Sequence, residues 1–250
     1  MNYCKHSTGL LLLLVIGCGV KAQIFNNVPK WQFGVGGGVF VYQGDLTEEK
    51  AGSYKTLRPA IQIFGGKLVS AGFGWRLNVA LGSLEGDDAK YAEPEYRRQR
   101  AFNFNTPITE VSGMVEWNIL NRNYANRKLA PYIGAGVGYT FLKIERDWSR
   151  FNNEYFLANS TTAVGLNEDL QHDPPRGKFI IPLVVGVRYF ISDKVGIGLE
   201  TNYRRISTDY LDGFSEAANP KKGDGYYSHT LNVILRFGKV NTLDCPVVKY

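Results

Sequence analysis

The sequence predicts an all-β fold: an eight-stranded antiparallel transmembrane β-barrel with short turns at one end and long loops at the other. Three observations predict it. Apolar residues alternate with polar or small ones at period two over stretches of about 10–15 residues, longer than the usual strand of a soluble sheet and long enough for a tilted strand to cross a bilayer, which takes about 9–11 residues. The connections alternate short and long along the chain, a sorting that a soluble sandwich has no reason to show. Aromatic residues gather near the strand ends, at Trp31, Tyr42, Trp117, Tyr132, Phe141, Tyr189, Phe190, Tyr203, Tyr227 and Phe237, where interfacial girdles belong.

The elements follow in order. Lys5 and His6 precede the apolar run of residues 10–20, and Val20-Lys21-Ala22 supplies a small-x-small end, so residues 1–22 read as a secretory signal peptide and the mature chain is expected to begin at Gln23. Val15-Ile16-Gly17-Cys18 also fits a loose lipoprotein box, in which Cys18 would carry the lipid. Residues 23–238 then form one domain. On the first strand Trp31, Phe33, Val35, Val39 and Val41 share a face opposite Gln32, Gly34, Gly36, Gly38 and Tyr42. The alternation recurs over residues 73–82, 131–141, 195–204 and 230–238, and more weakly over 58–67, 104–118 and 178–191, which makes eight strands. Connections 68–71, 119–128 and 192–194 are the turns, expected in the periplasm; 43–57, 85–103, 144–177 and 206–226 are the loops, expected outside. Residues 239–250 form a periplasmic tail.

Glycine inside a strand costs about 0.5–1 kcal/mol, so the glycines of WQFGVGGGVFVY (residues 31–42) and PYIGAGVGYTF (residues 131–141) need a reason. The interior of an eight-stranded barrel is just wide enough for side chains to fill it. Small inward residues make room there for large neighbours, expected to be Arg, Glu and Tyr. Arg76, Glu110, Glu116, Arg188, Glu200, Arg204 and Arg236 fall on the inward phase and are expected to form a charge-neutralising network inside a filled lumen.

Catalysis is not expected. After the signal, only His172 and His229 remain among the histidines, one in the longest loop and one on the lipid-facing phase, and no Ser-His-acid set or metal-ligand spacing is visible. No cofactor is implied. Loss of Lys5 and Lys21 with the signal takes the formal charge from +6 to +4, and without basic runs interleaved with stacking aromatics this gives no ground for nucleic-acid binding. Two segments stand out instead. Arg97, Arg98 and Arg100 form a cationic run in the second loop, read either as a solvated loop or as a contact for lipopolysaccharide phosphates or a partner protein. Asp244, Cys245 and Pro246 lie in the tail, where Cys245 is the sole cysteine of a chain cleaved before Gln23, read as an incidental tail or as an intermolecular disulfide.

An ordered set of short motifs resembles the PorG-like family of outer-membrane barrels. It comprises Tyr42-Gln-Gly-Asp-Leu46, Arg58-Pro59, Glu85-Gly-Asp-Asp88, Tyr96-Arg-Arg-Gln-Arg100, Pro131-Tyr-Ile-Gly-Ala-Gly-Val137, Thr208-Asp-Tyr-Leu-Asp212 and Cys245-Pro246. The resemblance implies a subunit of the type IX protein secretion system that anchors or positions a periplasmic ring of PorK-like lipoprotein and PorN-like protein, with the tail and the turn 119–128 as the contact surface. A stand-alone barrel whose loops bind an extracellular ligand or stabilise the envelope is the alternative.

Overall fold

The structure, a computed structural model, describes residues 28–47, 51–218 and 223–239. The expected signal peptide with Cys18 and the tail residues Asp244, Cys245 and Pro246 lie outside them. Eight long strands close on themselves: β1 (Trp31–Gln43), β2 (Arg58–Leu68), β3 (Phe73–Asp87), β4 (Asn103–Asn118), β5 (Leu129–Leu142), β7 (Gly177–Phe190), β8 (Val195–Ile206) and β9 (Gly225–Phe237), with the three-residue β6 (Glu145–Asp147) added above β4. Each long strand pairs antiparallel with its neighbours in the chain. The β1–β9 ladder, running from Trp31↔Phe237 to Gln43↔Gly225, seals the cylinder, so the barrel wall has no open edge.

The alternation of the sequence becomes the inside and outside of this wall. Leu77, Val115, Val137, Leu183, Val185, Leu199 and Leu231 point outward and are exposed, and outward-facing apolar side chains recur on all eight long strands. An apolar belt of this extent cannot face water. At the turn end it is bounded by Trp31, Phe73, Trp75 and Trp117, with Trp31 edge-on to Trp75 and under the Lys67 ammonium. At the loop end it is bounded by Tyr139, Phe141 and Phe179, and by Tyr203, Tyr227 and His229. Tyr42, Tyr132 and Phe190, which the strand-end rule assigns to the girdles, are instead buried inside. They sit on the inward phase, and their rings fill lumen that the glycines leave open. A Cβ on Gly186 would strike the Tyr132 ring, and one on Gly34 would lie 2.2 Å from Phe64. The large neighbours served at these two positions are therefore aromatic rings.

Turns and loops separate as the sequence predicts, but neither end is loose. Strands β3 and β4 run on past the barrel as a paired ribbon up to Asp87↔Asn103, and β6 adds to its outer side. Helices α1 (Glu95–Arg100) and α2 (Thr161–Gln171) form within the second and third loops. Ser160 caps α2 by accepting from the Ala163 N–H, and Ala163 and Leu166 turn its buried side downward. The loops meet over the barrel in one apolar cluster that includes Phe40, Leu84, Phe102, Phe104, Leu211 and Phe214, with Phe102 and Phe214 stacked at 4.3 Å. We refer to this folded unit as the cap.

Candidate functional site

Three layers of polar residues fill the barrel from turn to loop end. At the centre Arg76 donates from Nη1 and Nη2 to the two oxygens of Glu200, each at 2.8 Å. Glu200 also accepts from Tyr132 Oη at 2.6 Å and from Gln62 Nε2 at 3.1 Å. The Arg76 Nε lies 3.2 Å from Glu116, whose carboxylate takes a forked contact from Arg188 at 2.6 and 2.7 Å. Toward the loops Arg204 donates to Glu110 at 2.8 Å, and Tyr226 adds a second donor. Charges removed from water are tolerable only when paired and hydrogen-bonded in this way. Each of the three lumen glutamates is thus held by at least one arginine.

Arg236 differs. It lies at the turn end, where its guanidinium covers the Phe190 ring and donates to the Asn123 carbonyl and to Asn126 Oδ1. Those acceptors belong to the turn 119–128, which crosses the barrel mouth. Asn123 donates to the Ala71 and Ser70 carbonyls of the neighbouring turn, the Arg127 N–H donates to Phe190, and Asn126 contacts Asp193. Asn121 and Arg127 take left-handed backbone angles to make the crossing. The mouth is closed from below by the chain itself.

The cap draws together residues from four of the quoted motifs. The Tyr42 hydroxyl donates to Asp212 at 2.7 Å and faces Asp224 at 3.3 Å. Arg97 and Arg100 both bind the buried Asp88 carboxylate and donate to the Asp45 carbonyl. Of the cationic run only Arg98 stays at the surface. Arg97 and Arg100 are thereby withdrawn from the expected contact with phosphates: an unpaired Asp88 inside the cap would cost more than a solvated arginine pair gains outside. Across the cap, the Asp169 carboxylate accepts the backbone N–H groups of Ser215, Glu216 and Ala217, fixing α2 to the fourth loop. Burial pushes the Asp212 and Asp224 carboxyls well above the usual carboxylate range; for Asp224 the neighbouring Asp212 and Asp45 charges push the same way.

Sequence reasoning placed the seven lumen residues on one phase without resolving their pairing, and it missed Gln62, Tyr132 and Tyr226 as members. Asp88 and Asp169 were also missed as anchors. The Ser160 cap and the spacing of Ala163, Leu166 and Leu170 were a readable signal for α2. His172 stacks on Tyr210 at the cap, whereas His229 sits on the outer wall between Tyr54 and Thr201. Among the described residues no cluster of three His, Cys, Asp or Glu is arranged to hold a metal ion, and no helix is long and apolar enough to cross a membrane.

A closed barrel with an apolar belt, two aromatic girdles and a salt-bridged interior is an integral membrane β-barrel of the outer-membrane class. The family described as "Domain of unknown function (DUF6089)" matches residues 5–249, and the chain belongs to it. No curated protein matches the chain. Among solved structures it is similar to Ail, the attachment invasion locus protein of Yersinia pestis, in complex with the heparin analogue sucrose octasulfate. That likeness has 12% identity over 84% of this chain and 99% of that one, with a TM-score of 0.45. Neisserial surface protein A gives 12%, 83%, 97% and 0.45, and the outer membrane protein OprG of Pseudomonas aeruginosa gives 11%, 85%, 100% and 0.43.

Closure at both ends has a direct electrical consequence. In planar bilayers the purified chain is expected to give no steady conductance of general-porin size, because the Arg76–Glu200–Glu116 layer, the cap and the turn 119–128 lie in series along the axis. A stable ohmic channel in most insertions would show that these closures do not hold.

Proposed function

We propose that this barrel is a non-enzymatic, non-conducting structural subunit of the outer membrane, and that what it anchors is the periplasmic ring of the type IX protein secretion system. The observation that carries the first part is the filled lumen closed at both ends: it leaves no axial path for a solute, and it engages every lumen glutamate with an arginine. What remains for such a body to offer is a rigid surface. The second part rests on the ordered motifs shared with PorG-like barrels, on which PorK-like and PorN-like proteins are the partners. The turns then face the periplasm and the cap faces outward. The tail with Asp244, Cys245 and Pro246 is the candidate for a disulfide with the ring.

The exposed Trp148, Tyr155 and Leu157 of the third loop favour the second reading, a barrel whose outer surface binds a ligand. The secreted proteome of a deletion strain separates the two. Under the secretion reading, proteins bearing the C-terminal sorting signal disappear from the medium, accumulate in the periplasm and return on complementation. A secretome equal to the parent's would refute that reading and leave the loop surface as the place to look.

A further inference from the structure

Exposed basic charge gathers at the turn end of the barrel. At the loop end, strand ends included, the unburied acids and bases among the described residues are nearly balanced, since Arg58, Lys143, Lys178 and Arg205 add to the bases while Asp88, Asp169, Asp212 and Asp224 are buried in the cap. At the turn end the three turns and adjoining strand ends present Lys30, Lys67, Arg122, Arg127, Lys128 and Lys194 against one exposed acid, Asp193. The cationic Arg236 lies just beneath, at the end of a lumen that holds four arginines and three glutamates. Net charge gathered on one face of a small body raises the local potential by several kT and selects partners of opposite sign.

We infer that this turn face is a basic docking platform for the acidic face of a periplasmic protein, an assignment that rests on the anchoring role proposed above. A lipid leaflet is the competing source of negative charge, and the geometry argues against it. Lipid surrounds a barrel and reaches the rim, where Lys67 already covers Trp31. The turn carrying Arg122, Arg127 and Lys128 lies instead across the mouth, tied to both neighbouring turns and to Arg236 of β9 by the contacts of Asn123 and Asn126. Arg127 and Lys128 are exposed on that closure. Because the turn is pinned from beneath, binding to it orders little additional chain, which lowers the entropic cost of docking.

The test uses the full mature barrel in phosphatidylcholine nanodiscs and the purified PorN-like ring protein of the same cell as probe. Reversal of Arg127→Glu, Lys128→Glu and Lys194→Glu together is expected to weaken binding by tenfold or more, and the parent's affinity should fall between low and physiological salt, since such rim charges act mainly through long-range attraction. The Arg98→Glu variant on the opposite end should bind as the parent does. Heat-dependent gel mobility confirms that each variant is folded. Unchanged binding of the reversed barrel overturns the platform and leaves the anchoring role standing. Loss of association with phosphatidylglycerol vesicles while the ring protein still binds overturns it in favour of lipid. A parent barrel that fails to bind the ring protein at all also overturns it, and the deletion secretome then decides separately whether the anchoring role falls too.

Discussion

Glu200→Leu is expected to lower the stability of the folded barrel by about 3–5 kcal/mol, the usual cost of breaking one side of a buried ion pair, or a factor of roughly 10² to 4 × 10³ in the folding equilibrium. The carboxylate is the centre of the lumen: it receives both Arg76 Nη donors, Tyr132 Oη and Gln62 Nε2. Leucine leaves both Arg76 Nη donors and Tyr132 Oη facing apolar surface, while Gln62 Nε2 keeps Thr230 and Asn232 as acceptors, and Glu116 at 3.2 Å is the only remaining charge partner of Arg76. Glu200→Gln should lose less, because its carbonyl oxygen still accepts. The informative comparison is the double variant Arg76→Met with Glu200→Met, which removes both charges and keeps the volume; it should be closer to the parent than Glu200→Leu is. Urea titration in lipid vesicles, followed by the gel shift between folded and unfolded bands, measures all four. A Glu200→Leu barrel within 1 kcal/mol of the parent, on the scale of an exposed pair, would mean that the network contributes little beyond filling space.

The barrel was legible because its pattern is simple. Period-two alternation assigns every residue of a strand to lipid or lumen, which is why Arg76, Glu116 and Glu200 could be placed inside from sequence. The same rule could not pair them, since pairing depends on shear and on which side chains reach across the axis. The strand-end rule failed at Tyr42, Tyr132 and Phe190, where nearness to a strand end pointed to a girdle and the inward phase pointed to the lumen; phase decided. The loops were harder to read. They are polar on average, yet Phe102, Leu211 and Phe214 meet above the barrel only after long excursions of the chain, a contact that no local periodicity encodes. Arg97 and Arg100 show the consequence, because a cationic run in a sequence looks solvated until Asp88 is found beneath it.

The cap should open more readily as pH rises. Asp212 and Asp224 are buried at its base, and their carboxyls sit well above the ordinary value of 3.8 chiefly because burial disfavours charge. Around them stand Tyr42, whose hydroxyl donates to Asp212 and lies 3.3 Å from Asp224, Asp45 and Asp209 of like charge, and Arg100, whose guanidinium is committed to Asp88. Opening exposes the carboxyls to water and returns them to the ordinary range. Below about pH 4 both states are protonated and the closed cap keeps its full stability. As pH climbs from there toward the raised values of the closed state, the open state releases protons that the closed state retains, and stability falls by up to tenfold in the opening equilibrium per pH unit for each such carboxyl. Amide exchange at Leu211, Phe214 and Ser215, corrected for the intrinsic rate, reads this directly. Protection should decline steeply between mildly acidic and neutral pH, and Asp212→Asn, which cannot ionise and can still accept from Tyr42, should flatten the profile. A parent whose corrected protection is level across that range, or an Asp212→Asn variant that keeps the parent's slope, would show that these carboxyls remain ionised beneath a closed cap and that its opening is set by apolar packing alone.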